Sequence, residues 1–583
     1  MTYNNILYIL KMNTFKDSVY VKLALLILSG ICQFIVLSDV ARRTVNNMSL
    51  LFWLLSIVIF YFAFPFLPKK DKVYKRSSYK ILSFTFVIIL LAVLVRVILM
   101  LNTNNFHIDE YLTAHFSYSL GNLTKLDWFG VYPPTGVWIC QFPVLYFFFQ
   151  KLFFNVFGLS TLTMRFSIIP YIIAIFIFLW AIAKRLYNEQ VAIVAILIFA
   201  VFSPDLYLSR WSLHFISSTA LFLGATYFFI LSNQVGKKIH FAVFGFLLGT
   251  CYMTYYSSYI ALPLFLIYLL ILAVTKKISI SSLRNFLLSF VVFFYTISPL
   301  ITYAIKVANF FTQRTDQVGL INGLWSPYQN VTKLQSVIEI LSKQTILSLQ
   351  SLYKDGIGGQ AGYWFGKLAL FDTITFIFFV ISIIYFLFRI THNKAPQNIF
   401  VLLTIACAFV TGMVFTIPPP AFHRFSIAFP FIALLIAVAI VDLYMILKEK
   451  RIKGALLFLV LCVLAIMMGN IFHFKKVMEM DGPDDPDFPK IQQNITQENT
   501  HMVYIASFDS YSLGKVLFIR SNETINSVTH SLDELLKEIP HGRVSYLIIV
   551  YPDETSIQKV KEIFPHTKVI NKYDRHILLR VVN

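Results

Sequence analysis

Residues 81–111 read ILSFTFVIILLAVLVRVILMLNTNNFHIDEY. Residues 81–101 are mostly apolar, with Arg96 as their one charged residue, and a bilayer-crossing helix needs about 20 predominantly apolar residues. The run is followed closely by two adjacent acids, Asp109 and Glu110. Carboxylates at a hydrocarbon boundary are costly unless they are paired or used, so this stretch predicts a membrane protein with a chemical site at one surface.

The composition extends this prediction to the whole chain. Its 583 residues are 57% apolar and 17% aromatic but only 13% charged, about half the roughly 25% of soluble domains. This excludes an ordinary soluble enzyme and indicates a polytopic α-helical membrane protein. Thirteen candidate transmembrane helices lie at about 20–38, 49–67, 81–101, 164–183, 190–203, 213–231, 240–255, 258–275, 286–306, 371–391, 398–417, 426–447 and 454–472.

Basic residues predict the orientation of these spans. With Met1 in the cytoplasm, six short loops on that side carry 19 Lys and Arg but three acids. Lys and Arg favour short cytoplasmic loops, so topology explains most of the net charge of +20 and excludes nucleic acid as a partner. Arg42 and Arg43 are the exception. The loops are 68–80, 184–189, 232–239, 276–285, 389–397 and 448–453.

The same orientation predicts the domains of a multi-pass cell-membrane protein. Outer loops at about 102–163 and 307–370 belong to a catalytic membrane domain at 81–472, preceded by two N-terminal helices in 1–80. The apolar segment Trp138–Phe157 is interpreted as a helix that lies in the outer interface or re-enters the membrane. An acidic, Pro-rich linker at 473–490 leads to a small extracytoplasmic α/β domain at 491–583. Its predicted strands are Met502–Ser507, Val544–Tyr551 and His576–Val582, and its predicted helices are Ser531–Ile539 and Glu554–Ile563.

The acidic pair has two interpretations. Asp109 and Glu110 can form the first turn of a helix at 109–120, where negative charge is favoured by the helix dipole. Alternatively, they are the chemical groups of an active site. On the pair by itself, neither interpretation is favoured.

The residues downstream favour the second interpretation. Along the chain follow Tyr132-Pro133-Pro134, Phe157-Gly158-Leu-Ser160, Thr163-Met-Arg165-Phe-Ser167 and Ser203-Pro204 with Ser209-Arg210. In order, spacing and side of the membrane, these elements over roughly 81–430 resemble the GT-C superfamily of glycosyltransferases. More narrowly, they are similar to the protein O-mannosyltransferase family and its bacterial relative that adds aminoarabinose to lipid A.

The resemblance implies a hexosyl- or pentosyltransferase of the cell envelope. Such an enzyme takes a sugar from a polyprenyl-phosphate donor and transfers it, with inversion, to an extracytoplasmic protein, lipid or glycan. Asp109 would be the general base that accepts the proton of the acceptor hydroxyl. Glu110 would orient the acceptor or a metal.

The donor phosphate needs cations at the outer surface. The candidates are Arg210, His423 and Arg424, since the arginine fork binds phosphate oxygens and keeps its charge in a low dielectric. The alternative is that these side chains only reach to lipid headgroups. Tyr132, Tyr363 and Trp364 are candidates for stacking on a sugar ring.

The sequence predicts no definite cofactor and leaves a divalent cation open. Some family members carry an Asp four residues after the Arg of the Ser-Arg element, where this chain has His214. His107, Glu110 and His214 are therefore the metal-ligand candidates, although their spacing identifies no particular metal.

Two other functions remain as alternatives. A flippase or transporter of lipid-linked sugars would also be polytopic, but internal repeats are expected there and none is evident. A polymerase or ligase of surface polysaccharide would share the donor. The acidic pair and the series of motifs after it favour the transferase.

Overall fold

The computed structural model describes residues 19–63, 79–102, 108–120, 128–129, 143–307, 309–324, 326–357, 364, 368–393, 395–417, 420–480, 503–507, 525–529, 532–539, 545–550, 552, 554–572 and 576–581. Its membrane part is helical. The helices are α1 (Val19–Arg42), α2 (Asn47–Ala63), α3 (Tyr79–Asn102), α4 (Ile108–Ser119), α5 (Leu145–Phe157), α6 (Thr161–Phe166), α7 (Ile169–Leu186), α8 (Glu189–Ala200), α9 (Ser203–Leu208), α10 (His214–Val235), α11 (Lys238–Tyr252), α12 (Ala261–Val274), α13 (Ile280–Lys306), α14 (Gln313–Val318), α15 (Leu334–Gln350), α16 (Thr373–Asn393), α17 (Pro396–Phe409), α18 (Phe422–Phe425), α19 (Phe429–Glu449) and α20 (Ala455–Met480).

Each of the thirteen predicted spans coincides with helix. Among the described residues, ten helical segments are long and apolar enough to cross a membrane. The other three predicted spans correspond to α2, α8 and α11, which are shorter apolar helices. The predicted class, a polytopic helical membrane protein, is confirmed, while the number of crossings stays a prediction. The interfacial segment contains the 13-residue helix α5.

Polar side chains join the N-terminal helices to the rest of the membrane part. Gln33 of α1 donates to the Ser298 hydroxyl of α13 (2.5 Å) and accepts from Ser56 of α2 (2.6 Å). Tyr295 of α13 donates to the Ser29 carbonyl (3.0 Å). In hydrocarbon these groups have no water to bond, so the contacts hold α1 and α2 on α13.

Two close approaches shape the interior. In α11, a Cβ on Gly245 would collide with the Ser289 carbonyl of α13, so glycine permits that helix contact. Arg96 of α3 donates to Asp205 of α9 through Nε (3.2 Å) and Nη2 (2.5 Å), and both side chains are buried. Arg96 therefore does not reach out to lipid headgroups. It ties the third predicted span to the segment before Arg210.

The C-terminal part has its own sheet and core. Strands β1 (Val503–Ser507), β2 (Ile525–Thr529), β3 (Ser545–Val550), β4 (Lys568–Lys572) and β5 (His576–Val581) form a sheet of order β2-β1-β3-β5-β4. β1 pairs in parallel with β2 and β3, whereas β5 pairs antiparallel with β3 and β4. Helices α21 (Leu532–Glu538) and α22 (Glu554–Ile563) contribute to its apolar core. The small α/β domain is confirmed, with β2 and β4 as strands that the sequence analysis missed.

Candidate active site

Helix α4 carries the acidic pair in its first turn, as the helix-start interpretation predicted. Both side chains are nevertheless buried, with 8% of Asp109 and none of Glu110 exposed to solvent. A capping residue at a helix start is usually in contact with water. Burial of two adjacent carboxylates requires compensating partners, and the structure provides them for Glu110.

Three donors from two distant segments hold Glu110. Arg165 of α6 donates to it through Nε (3.3 Å to Oε1) and Nη2 (3.2 Å to Oε2). The backbone N–H of Ser212, between α9 and α10, donates to Oε1 (2.8 Å). Arg165 also donates to the Met100 carbonyl at the end of α3 (2.9 Å). Glu110 therefore fixes the position of α4, and an additional role in orienting the acceptor stays a prediction.

The position of Asp109 follows from that anchoring. Asp109 directly precedes Glu110 in the first turn of α4. With Glu110 immobile in its ion pair, the neighbouring carboxylate is held in a defined place. A general base requires such a fixed position.

A buried polar network supports the loop that contacts Glu110. Gln150 of α5 donates to the Ser212 hydroxyl (2.8 Å) and accepts from Ser117 of α4 (2.7 Å). Tyr146 of α5 is hydrogen-bonded to the same Ser212 hydroxyl (2.8 Å). These hydrogen bonds therefore connect the loop between α9 and α10 with α4, which carries the acidic pair, and with α5.

Arg210 lies on this same loop, two residues before Ser212. Its side chain is fully buried, its Nε donates to the Tyr207 carbonyl (3.1 Å), and its guanidinium lies over the rings of Tyr207 (4.3 Å) and Trp211 (4.8 Å). Aromatic faces stabilise a buried cation. The arrangement keeps a positive charge close to the segment that holds Glu110.

Trp364 connects Arg210 with the second predicted cationic group. Its ring is 2% exposed and packs edge-on against Tyr207 (5.2 Å between centroids) and against Phe422 (5.6 Å). Phe422 opens α18, which also contains His423 and Arg424. Trp364 is thus a buried link between the two groups, and its predicted stacking on a sugar stays a prediction.

The two basic residues of α18 lie in different environments. His423 is 3% exposed, and its ring is 6.2 Å from that of Phe215 in α10. Arg424 is half-buried and donates through Nη1 to the Ile417 carbonyl (3.0 Å). His423 therefore lies beside the start of α10, whereas Arg424 bonds to the segment before α18.

Arg314 is a further candidate that the sequence analysis missed. It lies on α14, and its charge acts electrostatically on His214 and Tyr256. The carbonyl of Val318, the last residue of α14, accepts from the Ile417 N–H in the segment before α18 (2.8 Å). Arg314 is the sole arginine of the predicted outer loop 307–370, a signal that the sequence offered.

Two of the three metal-ligand candidates, Glu110 and His214, lie in the described part of the chain, and a metal at either stays a prediction. His214 is buried with its ring 4.3 Å from that of Tyr255 and 6.2 Å from that of Tyr146, in aromatic surroundings. Among the residues that the structure describes, no group of three His, Cys, Asp or Glu side chains could hold a metal. His107, Tyr132 and Tyr363 lie outside the described residues.

A known protein family resembles part of this chain in sequence, and solved structures resemble most of it in fold. The sequence model of the dolichyl-phosphate-mannose-protein mannosyltransferase family matches residues 141–303. No curated protein matches the sequence. ArnT from Cupriavidus metallidurans, solved with bound undecaprenyl phosphate, superposes with a TM-score of 0.55 at 10% identity, covering 85% of this chain and 98% of ArnT.

The chain has the GT-C fold.

Two structures of an archaeal enzyme agree with this GT-C assignment. The oligosaccharyltransferase of Archaeoglobus fulgidus in its apo form gives a TM-score of 0.50 at 14% identity, covering 76% of this chain and 65% of the archaeal one. Its AglB complex with an inhibitory peptide and a dolichol-phosphate gives 0.51 at 12% identity, covering 81% and 70%. The predicted resemblance to GT-C glycosyltransferases is confirmed.

The family match and the contacts of the acidic pair concern overlapping regions. Residues 141–303 contain the two partners of Glu110, Arg165 and Ser212, together with Arg210. The acidic pair itself precedes the match. Its assignment to the site therefore depends on the hydrogen bonds of Glu110 to Arg165 and Ser212, which lie in the matched segment.

Proposed function

We propose that this protein is a membrane glycosyltransferase that moves a sugar from a polyprenyl-phosphate donor to an acceptor hydroxyl outside the cytoplasm. The observation that supports the proposal is the anchoring of Glu110, which directly follows Asp109 in the chain, by Arg165 and by the backbone of Ser212, two residues after Arg210. The complexes of ArnT with undecaprenyl phosphate and of AglB with a dolichol-phosphate support a lipid phosphate as the leaving group.

The proposed reaction is a single displacement. The acceptor oxygen forms a bond to the anomeric carbon while the bond from that carbon to the donor phosphate oxygen breaks. Asp109 accepts the proton of the acceptor hydroxyl. The electron pair of the broken bond stays on the polyprenyl phosphate, and its negative charge is stabilised by Arg210, His423, Arg424 and Arg314. The product has the inverted anomeric configuration.

The acceptor is a protein, a lipid or a glycan, and the sugar is a hexose or a pentose. A polyprenyl donor places its tail in the bilayer and its phosphate at the interface, where the outer ends of the predicted spans lie. The flippase alternative shares the lipid-linked sugar, but it forms no bond to a hydroxyl and requires no carboxylate that accepts a hydroxyl proton. The polymerase or ligase alternative shares this chemistry and differs from a transferase of single sugars in the size of the glycan that it moves.

The decisive experiment removes the proposed base. A strain that lacks the protein is complemented with the unchanged chain or with Asp109→Asn, and lipid-linked sugars and surface glycans are measured by mass spectrometry. We expect Asp109→Asn to accumulate in the membrane like the unchanged chain, yet to leave the donor lipid unconsumed and the glycan product missing.

The matched control is Asp533→Asn, which alters an exposed carboxylate of the C-terminal sheet domain. It should behave like the unchanged chain. Normal product from Asp109→Asn would exclude Asp109 as the base. Loss of the lipid-linked sugar from the outer leaflet, rather than its accumulation there, would indicate a flippase instead.

A further inference from the structure

A second polar cleft lies apart from the acidic pair, where α16 begins and α20 approaches its end. Its volume is about 590 Å³, within the range of 300–1,000 Å³ that is usual for ligand sites. The lining combines charged, aromatic and apolar side chains, among them Lys354, Asp355, Asp372, Ile374, Phe472, His473 and Lys476.

The floor of the cleft is fixed by backbone hydrogen bonds. The Leu370 N–H donates to the Ser351 carbonyl (2.9 Å) and the Phe371 N–H to the Leu352 carbonyl (3.0 Å). The Ala369 N–H donates to Asp355 Oδ1 (2.8 Å). These bonds hold the segment that follows α15 beside the segment that precedes α16, so the cleft is a built feature of the fold.

The charges in the cleft are balanced. Lys476 Nζ lies 3.0 Å from Asp355 Oδ2. The second ammonium belongs to Lys354, which directly precedes Asp355 in the chain and is exposed. Asp372 accepts from the Thr375 N–H (3.0 Å) at the start of α16. The Ala369 N–H and the Lys476 ammonium lower the pKa of Asp355, so this carboxylate is ionised at neutral pH. Two carboxylates and two ammoniums together favour a ligand that itself carries both signs of charge.

The cleft lies at the boundary of the predicted hydrocarbon region. Both α16 and α20 contain candidate membrane spans, Thr373–His392 and Ala455–Met480. At the edge of the cleft, apolar side chains face outward, with 63% of Phe472 and 38% of Ile374 exposed. A ligand there is in contact with water on one side and with lipid on the other.

We propose that this cleft binds the headgroup of a phospholipid that carries both a phosphate and a primary ammonium. The ammonium lies towards Asp355 and Asp372, the phosphate lies towards Lys354 and Lys476, and the acyl chains run along Phe472 and Ile374. A purely anionic headgroup would compete with Asp355 for Lys476 and would lie beside the Asp372 carboxylate. A choline headgroup has no N–H to donate to them. A saccharide would leave the exposed apolar edge without a partner.

The cleft is also connected to the candidate active site. His473 Nδ1 is 2.9 Å from the Ser203 hydroxyl at the start of α9, and its ring is 5.9 Å from that of Trp364. Trp364 contacts Tyr207, over which Arg210 lies. A bound headgroup would therefore stabilise the packing behind the proposed phosphate site.

The test measures lipid retention by the full-length purified protein. The protein in detergent is incubated with equal amounts of phosphatidylethanolamine, phosphatidylcholine and phosphatidylglycerol of identical chains, and bound lipid is counted by native mass spectrometry. We expect phosphatidylethanolamine to be retained about fivefold over either competitor, which corresponds to about 1 kcal/mol. The double variant Asp355→Asn/Lys476→Met should lose this preference.

The matched control is Lys475→Met/Glu479→Gln, which removes an exposed ion pair on the same helix outside the cleft. It should keep the preference. Should the double variant fail to fold by gel filtration, Lys354→Gln provides the second test and should reduce retention.

Several outcomes would overturn the proposal. These are equal retention of phosphatidylcholine, stronger retention of phosphatidylglycerol, or an unchanged preference in both cleft variants. Displacement of the lipid by free phosphoethanolamine at equal concentration would identify a soluble ligand instead. Displacement by chitotriose would identify a sugar site. None of these results depends on sugar transfer, so the proposal can fail while the proposed function stands.

Discussion

At the scale of single residues, the buried ion pair of Glu110 and Arg165 stabilises the site. Removing one partner leaves the other charge buried, which typically costs about 3–5 kcal/mol. We expect Arg165→Met to lower the thermal unfolding temperature of the purified protein clearly. Glu110→Gln should lower it less, because the amide oxygen can still accept from Ser212.

The control for this pair is Glu339→Gln, an exposed carboxylate on α15. The double variant Glu110→Gln/Arg165→Met should be more stable than the sum of the single effects predicts, since no unpaired charge remains. Strict additivity of the two effects would show that the pair is not coupled.

The proposed phosphate ligands predict a separable kinetic effect. A charged hydrogen bond contributes about 1.5–3 kcal/mol, so Arg424→Ala should raise the KM for the lipid-linked donor about tenfold or more. The KM for the acceptor should change little. Arg314→Gln should act in the same direction. The measurement is transfer in proteoliposomes with donor and acceptor varied separately.

Arg284→Gln is the matched control for both arginines, since it lies exposed at the predicted cytoplasmic start of α13. A rise in the acceptor KM without a rise in the donor KM would contradict the assignment of Arg424 and Arg314 to the phosphate.

At the scale of elements, the Arg96–Asp205 ion pair attaches α3 to α9. Because both groups are buried among membrane helices, Arg96→Leu should destabilise the protein by about 3–5 kcal/mol and reduce transfer, as Asp205 positions the start of the Arg210 loop. The measurement is the unfolding temperature in detergent together with activity. Combining Arg96→Leu with Asp205→Leu should recover part of the stability, and no recovery would argue against a direct pair.

Some elements were predictable and others were not. Long apolar runs predicted the membrane helices well because hydropathy is a local property. Strands β2 and β4 were missed because Ile525–Thr529 and Lys568–Lys572 are largely polar edge positions, which pairing with β1 and β5 makes into strands. Propensity says little about such strands.

At the scale of the whole molecule, the orientation of the spans is the main prediction. A single cysteine at Asp316→Cys, in the second predicted outer loop, should react with an impermeant maleimide on intact cells. A cysteine at Lys450→Cys should react only after the membrane is opened. Both positions are exposed, and the native cysteines are replaced first. The opposite labelling pattern would place the acidic pair on the cytoplasmic side and contradict the proposed function.

The sequence by itself determined the membrane class, the position of the spans, the C-terminal domain and the acidic pair as a point of interest. These follow from the amino-acid composition, from the spacing of apolar residues and from neighbouring residues in the chain, all of which are local properties of the sequence. The contacts that make Glu110 an anchor, by contrast, were decided by the tertiary structure, because Arg165 and Ser212 lie 55 and 102 residues away along the chain. The same holds for the burial of Trp364, the placement of Arg314 and the cleft beside Lys476. Each depends on segments that only helix packing brings together.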